Sequence, residues 1–401
     1  MPFLKKNITF DIYKQILFMM YRLLFKTFTF VFITLAISFC VACSSPVTKQ
    51  CVTIPPHPIA EGVSAPFAGF IGNYLIVGGG CNFPDVPAAD GGTKVYYDEI
   101  FGCRIDGDSL SWKSLGKFPQ PVAYGATVET SKGLICIGGM NKKHALTNVY
   151  RIELNQQTEK MTVTILPSLP ATIDNASATC IKNTLYVTGG NQSDGEQSVY
   201  ALTVGEDEAW KKVSNYPGPQ RIQPVLLASN EELFLLGGFS VIAPTDSSAK
   251  QALISYDYLI YDTKHDCWSL PDSLPRLADG SPRALVGSSG VRIGNHLVIA
   301  GGVNYDIFKA AVEGKSDADY LKHPASWYRF SNDVLVYDLT HHSWKEVVSA
   351  EGFNKAGGSL LYHDNSLYMV CGEVKPGIRT SEIRRISAEF PEPVPEKKKN
   401  R

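Results

Sequence analysis

LYMVCGEVKPGIRT, residues 367–380, opens with an apolar run that ends on Cys-Gly and runs straight into Glu373. Five earlier stretches share the opening of that segment: LIVGG (75–79), LICIGG (134–139), LYVTGG (185–190), LFLLGG (233–238) and LVIAGG (297–302). The copies recur roughly every 50 to 70 residues, which marks one structural unit repeated six times. Each copy has the same surroundings. A stretch rich in small residues and a polar turn precede it, as in AYGATVETSKG (123–133) and ALVGSSGVRIGN (284–295). A Tyr-bearing strand, a turn and a Trp follow, as in YDTKHDCW (261–268) and YDLTHHSW (337–344). Trp112 and Trp210 fill that place elsewhere, and the second copy carries VTILPSLP (163–170) instead.

Strands joined by tight turns in a fixed repeat predict four antiparallel strands per unit. One such unit cannot bury both faces alone, so the units must stack into a closed ring. Small residues let six inner strands crowd around an axis, and Tyr and Trp fill the wedge that widens outward. The expected fold is an all-β, six-bladed propeller of the Kelch type. Its last copy supplies three strands: GSLLYHDNS (358–366), LYMVCGE (367–373) and SEIRRISAEF (381–390). KQCVTIPPHPIA (49–60) has the character of an outer strand, so the ring is expected to close with an N-terminal strand completing the last blade.

The chain has 401 residues, with 38 Lys and Arg against 39 Asp and Glu. That balance leaves no excess cation to neutralise phosphates and argues against a nucleic-acid partner. Residues 27–41, TFTFVFITLAISFCV, are uncharged and follow Arg22 and Lys26. This is a signal-peptide pattern, too short for a comfortable membrane span. VACSS (41–45) resembles a bacterial lipoprotein signal with Cys43 as the lipidated residue; a plain secretory signal cleaved near the same point is the alternative. The upstream residues fit neither, which points to Met19 or Met20 as the true start. The expected organisation is a signal segment over 1–43, a propeller over 44–390 and a disordered tail over 391–401. The expected location is the periplasm, with a lipid anchor as the one membrane contact. Cys136, Cys180 and Cys371 lie in apolar runs and read as small buried hydrophobes. Cys81 and Cys103 are candidates for a disulfide in an exported chain, a pairing that spacing alone does not establish.

Two segments depart from the repeat. After the glycines other copies place Met140, Asn191, Phe239 or Val303, whereas the last places Glu373, with Lys375, Arg379 and Thr380 close behind. A carboxylate ending an inner strand at the channel mouth, near cations, is suited to proton transfer; a loop-stabilising ion pair is the plainer alternative. GGVNYDIF (301–308) is followed by an insertion through about Phe330, long enough to form a lid over that mouth. Tyr124, Asn175, Arg221 and Arg283 fall at repeat positions that project toward the same end.

Together, GGVNYDIF and GEVKPGIRT resemble segments of the bacterial sialic acid mutarotases (N-acetylneuraminate epimerases), and the repeat extends the resemblance over about residues 52–390. The motif falls near the end of this chain and mid-chain in that family, which is similar to its circularly permuted branch. The resemblance implies Glu373 as catalytic acid/base and Arg379 as an essential partner holding the sugar carboxylate. Lys375, Thr380 and Asn304 are expected substrate contacts, Arg283 and Arg221 are further candidates by their repeat positions, and mutarotation requires neither metal nor organic cofactor. The implied partner is a small sugar acid. A non-catalytic propeller binding sugar or protein stays open as an alternative, as does a mutarotase for another sugar acid.

Overall fold

The computed structural model describes residues 51–106, 110–195, 197–242, 250–345 and 347–388. The signal segment with Cys43 and the tail from 391 lie outside the described residues. Six four-stranded antiparallel blades follow one another along the chain. Blade 1 is built from Phe67–Ile71, Tyr74–Gly78, Glu99–Arg104 and Trp112–Lys117; blade 2 runs from Ala126–Thr130 to Lys160–Ile165. Blade 3 runs from Ser177–Ile181 to Lys211–Val213, and blade 4 from Val225–Ala228 to Cys267–Ser273. Blade 5 begins at Ser288–Ile293, and Ser343–Trp344 and Val348–Ser349 share its outer edge. Blade 6 takes Ser359–His363, Ser366–Val370 and Ile383–Ser387 from the C-terminal end. Its fourth strand is Cys51–Ile54, which pairs antiparallel with Ile383–Ser387 in the register Cys51 to Ile386 and Ile54 to Ile383. The ring therefore closes as the repeat count requires, the N-terminal strand completing the last blade.

Paired glycines weld the blades together. In five copies the first glycine has φ between 61° and 77° and the second between 73° and 99°. What they share is the left-handed region, which glycine enters without steric cost. A Cβ on Gly138 would lie 2.5 Å from the carbonyl oxygen of Ile173 in the next blade's entry loop. The second residue's N–H donates across that junction: Gly80 to Val122 O, Gly139 to Ile173 O, Gly190 to Arg221 O, Gly302 to Lys355 O. Gly372 donates to Val63 O at 2.9 Å and so joins blade 6 to blade 1. Blade 1 carries three glycines in a row, and its welding pair is Gly79–Gly80, one residue beyond the pair expected from LIVGG. In the last copy Cys371 itself adopts φ 53°.

Between blades the apolar faces interdigitate. Phe67, Phe118 and Tyr150 pack in sequence across the first junction as tilted rings, with centroids 5.3 and 5.7 Å apart. The outer Trp residues also bind backward. Trp112, Trp210 and Trp268 donate their indole N–H to Pro55 O, Pro167 O and Ser214 O at 2.8, 2.8 and 2.9 Å. Cys136 and Cys371 are buried as expected and Cys180 is partly so. Cys81 and Cys103 are both free, against the disulfide candidate. Cys103 faces the core of blade 1, while the Cys81 thiol turns to Tyr124 and Ser64.

Candidate active site

Six equivalent residues at the entry to the inner strands have left-handed backbones: Ala65, Tyr124, Asn175, Gln223, Gly287 and Gly357. Five backbone hydrogen bonds run head to tail through them, Ala65 N to Gly357 O, Tyr124 N to Ala65 O, Asn175 N to Tyr124 O, Gln223 N to Asn175 O, and Gly357 N to Gly287 O. This ring of peptides frames one end of the axial channel. It bounds a cavity of about 640 Å³ whose wall includes Tyr124, Asn175, Gln223, Asn304, Tyr320 and Glu373. That volume falls in the range of small-molecule sites. Gln223 Nε2 donates to Asn175 Oδ1 at 3.0 Å, and Asn175 Nδ2 donates to Asp174 Oδ1 at 2.6 Å. The rim carboxamides are thereby fixed in orientation.

Glu373 stands at the repeat position also held by Cys81, Met140, Asn191, Phe239 and Val303. Its backbone exchanges hydrogen bonds with Ala356 at 2.7 and 3.0 Å, so the strand that carries it is anchored to the inner loop of its own blade. KPG then turns the chain back, and Arg379 pairs opposite Glu373 in a two-stranded ribbon. Arg379 Nη2 lies 2.7 Å from Glu373 Oε1, with the two side chains 3% and 21% exposed. The guanidinium rests on the Phe83 ring, 4.7 Å from its centroid. Burial pushes the Glu373 carboxyl up, opposed first by Arg379 and then by Lys94. The pair is thus a carboxylate facing the cavity with a buried cation behind it.

The other expected site residues divide clearly. Asn304 lines the cavity, where its Oδ1 also caps helix α1 (Tyr305–Val312) by accepting from Ile307 N at 3.2 Å. Arg379 does not meet the cavity and is placed to act on Glu373 rather than on a sugar. Lys375 donates to His323 O at 2.7 Å and Leu321 O at 3.3 Å, so it braces the insertion instead of reaching for substrate. Thr380 is likewise turned away, its N–H on Gly372 O and its hydroxyl accepting from Glu382 N. Arg221 and Arg283 are corrected too. Arg221 Nη2 lies 2.9 Å from Asp257 and Arg283 Nη1 2.7 Å from Asp333. Both are nearly fully buried, and each clamps an entry loop to the third strand of its blade. Lys355, 3.5 Å from Glu382, ties the blade 6 entry loop to the residue just before the third strand. The insertion does wall the mouth: Tyr320 and Phe330 line the cavity, and Phe308 packs edge-on to Phe239 at 5.0 Å.

Sequence reasoning passed over Gln223, Lys94, Phe83 and Tyr320. Lys94 comes from the loop after the first glycine pair, and its Nζ donates to Tyr124 Oη at 2.9 Å. A second carboxylate, Glu129, lines the channel on the inner strand of blade 2 and accepts from Phe70 N at 2.8 Å. Glu129 is exposed along the channel, yet the strands packed around its carboxyl push it up to about 7, the Phe70 hydrogen bond acting the other way. A carboxyl raised in the folded state stabilises the fold fully below its unfolded value, and that contribution fades as pH rises through about 7. Glu129→Gln should therefore raise the melting temperature at pH 8 and leave it nearly unchanged at pH 4.5; an equal shift at both would refute the assignment.

Fold and site together define a Kelch-type propeller with a buried carboxylate–guanidinium pair at one mouth. Residues 166–392 match the profile of the N-acetylneuraminate epimerase family. Since that match covers more than half of the 401 residues, the chain belongs to the N-acetylneuraminate epimerase family. N-acetylneuraminate epimerase of Haemophilus influenzae (strain 86-028NP) is 30% identical over 254 residues, 60% of this chain and 62% of that one. The protein of that name from Salmonella enteritidis PT4 (strain P125109) is 29% identical over 234 residues, 55% of this chain and 58% of its own. The match thus spans less than two thirds of those relatives' length. The structure of YjhT superposes with a TM-score of 0.57 at 14% identity, over 84% of this chain and 98% of that one, a likeness of fold.

Proposed function

We propose that the chain is a mutarotase that interconverts the anomers of sialic acid (N-acetylneuraminate). The observation that carries this reading is Glu373, a cavity-facing carboxylate held 2.7 Å from a buried Arg379. Mutarotation needs a proton taken from the anomeric hydroxyl and one given to the ring oxygen. The ring C–O bond then breaks, the open keto form rotates, and closure on the other face reverses the steps. A carboxylate raised by burial yet kept ionisable by an adjacent cation is suited to that exchange. The reading also draws support from family membership and from a cavity of monosaccharide size. In it the sugar carboxylate meets the carboxamides of Asn175, Gln223 and Asn304, because Arg379 is committed behind Glu373. Magnetisation transfer between the anomeric signals of sialic acid at equilibrium should increase on adding the protein; binding without faster exchange would leave only a sugar-holding scaffold.

The same proposal includes export and a lipid anchor in the periplasm. It rests on the uncharged run 27–41 and on the VACSS stretch around Cys43. Cells supplied with labelled fatty acid should label the wild type and not Cys43→Ser; an unlabelled, soluble wild type would favour simple secretion.

A further inference from the structure

Tyr124 combines three features that the proposed role of Glu373 does not use. It holds φ 61° at a rim position where other blades place Ala65, Asn175, Gln223, Gly287 and Gly357. A bulky aromatic in the left-handed region is uncommon, and such strain gathers at functional sites. Its ring lines the same cavity as Glu373. Its hydroxyl oxygen accepts from Lys94 Nζ at 2.9 Å and lies 3.3 Å from the Cys81 sulfur. A phenol oxygen has two lone pairs and one proton. Lys94 engages one lone pair, and the phenol proton can rotate between the Cys81 sulfur and a partner in the cavity that the ring lines.

Resting on the mutarotase reading, we propose that Tyr124 is the acid that works opposite Glu373, with Lys94 as its positioning residue. Glu373 takes the proton of the anomeric hydroxyl as that oxygen becomes the keto C=O. The ring C–O bond breaks, and its oxygen takes the Tyr124 proton. The resulting phenolate stands beside the Lys94 ammonium. After rotation the hydroxyl re-attacks the keto carbon from the other face and returns its proton to Tyr124. Glu373 then gives its proton to the former carbonyl oxygen, so both groups end as they began. The resting states fit the assignment. Burial pushes the Tyr124 phenol up, and the Glu373 charge pushes it the same way, with Arg379 opposing. The phenol therefore starts protonated, as an acid must. Tyr96, whose ring centroid is 6.4 Å from that of Tyr124, is a further titratable neighbour, and Glu129 and Tyr320 line the same cavity.

Tyr124→Phe should lower kcat for sialic acid about 10²-fold or more with KM little changed. Lys94→Met should lower kcat by less. Installing 3,5-difluorotyrosine at 124 keeps ring and hydroxyl but acidifies the phenol. It should restore activity and bring the alkaline limb of the kcat profile to lower pH, a response that a purely structural tyrosine would not produce. Full kcat in Tyr124→Phe, or a difluorotyrosine profile identical to wild type, overturns the proposal and leaves Glu373 in place. A wild type inactive on sialic acid overturns both readings.

Discussion

Glu373→Gln should lower kcat for anomer exchange by about 10²–10⁴-fold while sialic acid binding stays close to wild type. The substitution keeps size, and its amide oxygen can still accept from Arg379, which lies 2.7 Å from the native carboxylate. What it removes is the group able to take and return a proton. Stopped exchange measurements with parallel calorimetric titration separate the two effects. Full exchange in this variant would place the base elsewhere; lost binding with unchanged kcat would make Glu373 a substrate contact only.

Arg379→Met should be comparably damaging for a different reason. Burial raises the Glu373 carboxyl, and Arg379 is the largest influence lowering it. Without the guanidinium the folded carboxyl rises further, so the ionised base is present only at higher pH. The acid limb of the kcat profile should move upward and activity near neutrality should fall, with partial recovery on the alkaline side. Removing one partner of a buried pair is also expected to cost about 2–5 kcal/mol of stability, partly relieved when Glu373 takes up a proton. A variant with an unmoved acid limb and a raised KM would return Arg379 to the role of carboxylate clamp.

The ring was legible because its determinants are local and repeated. Each glycine pair needs a backbone that other residues resist, so the requirement shows as a residue type at a fixed place. Closure by Cys51–Ile54 was legible for a related reason: three strands in the last copy leave one edge to cover. Glu373 stood out as a charge at a position otherwise filled by Cys81, Met140, Asn191, Phe239 and Val303. The cations around it were harder to place. Arg221, Arg283 and Lys355 carry the same charge as an anion-binding residue would, and nothing in spacing tells that Asp257 and Asp333 on third strands, and Glu382 just before one, wait for them. Lys375 and Arg379 lie near Glu373 in sequence, yet a two-stranded ribbon sends one to the insertion and the other behind the carboxylate. The rim residues Ala65, Tyr124, Asn175, Gln223, Gly287 and Gly357 share a backbone conformation but no common side-chain type across all six, so their alignment shows only once the blades are built.

The most direct test of the account follows sialic acid freshly released as its α anomer, by proton NMR, with and without the purified protein. The account predicts that the β anomer grows in faster in proportion to protein added, and that Glu373→Gln returns the time course to that of buffer. A time course identical with and without wild-type protein, at concentrations where the sugar binds, would contradict it.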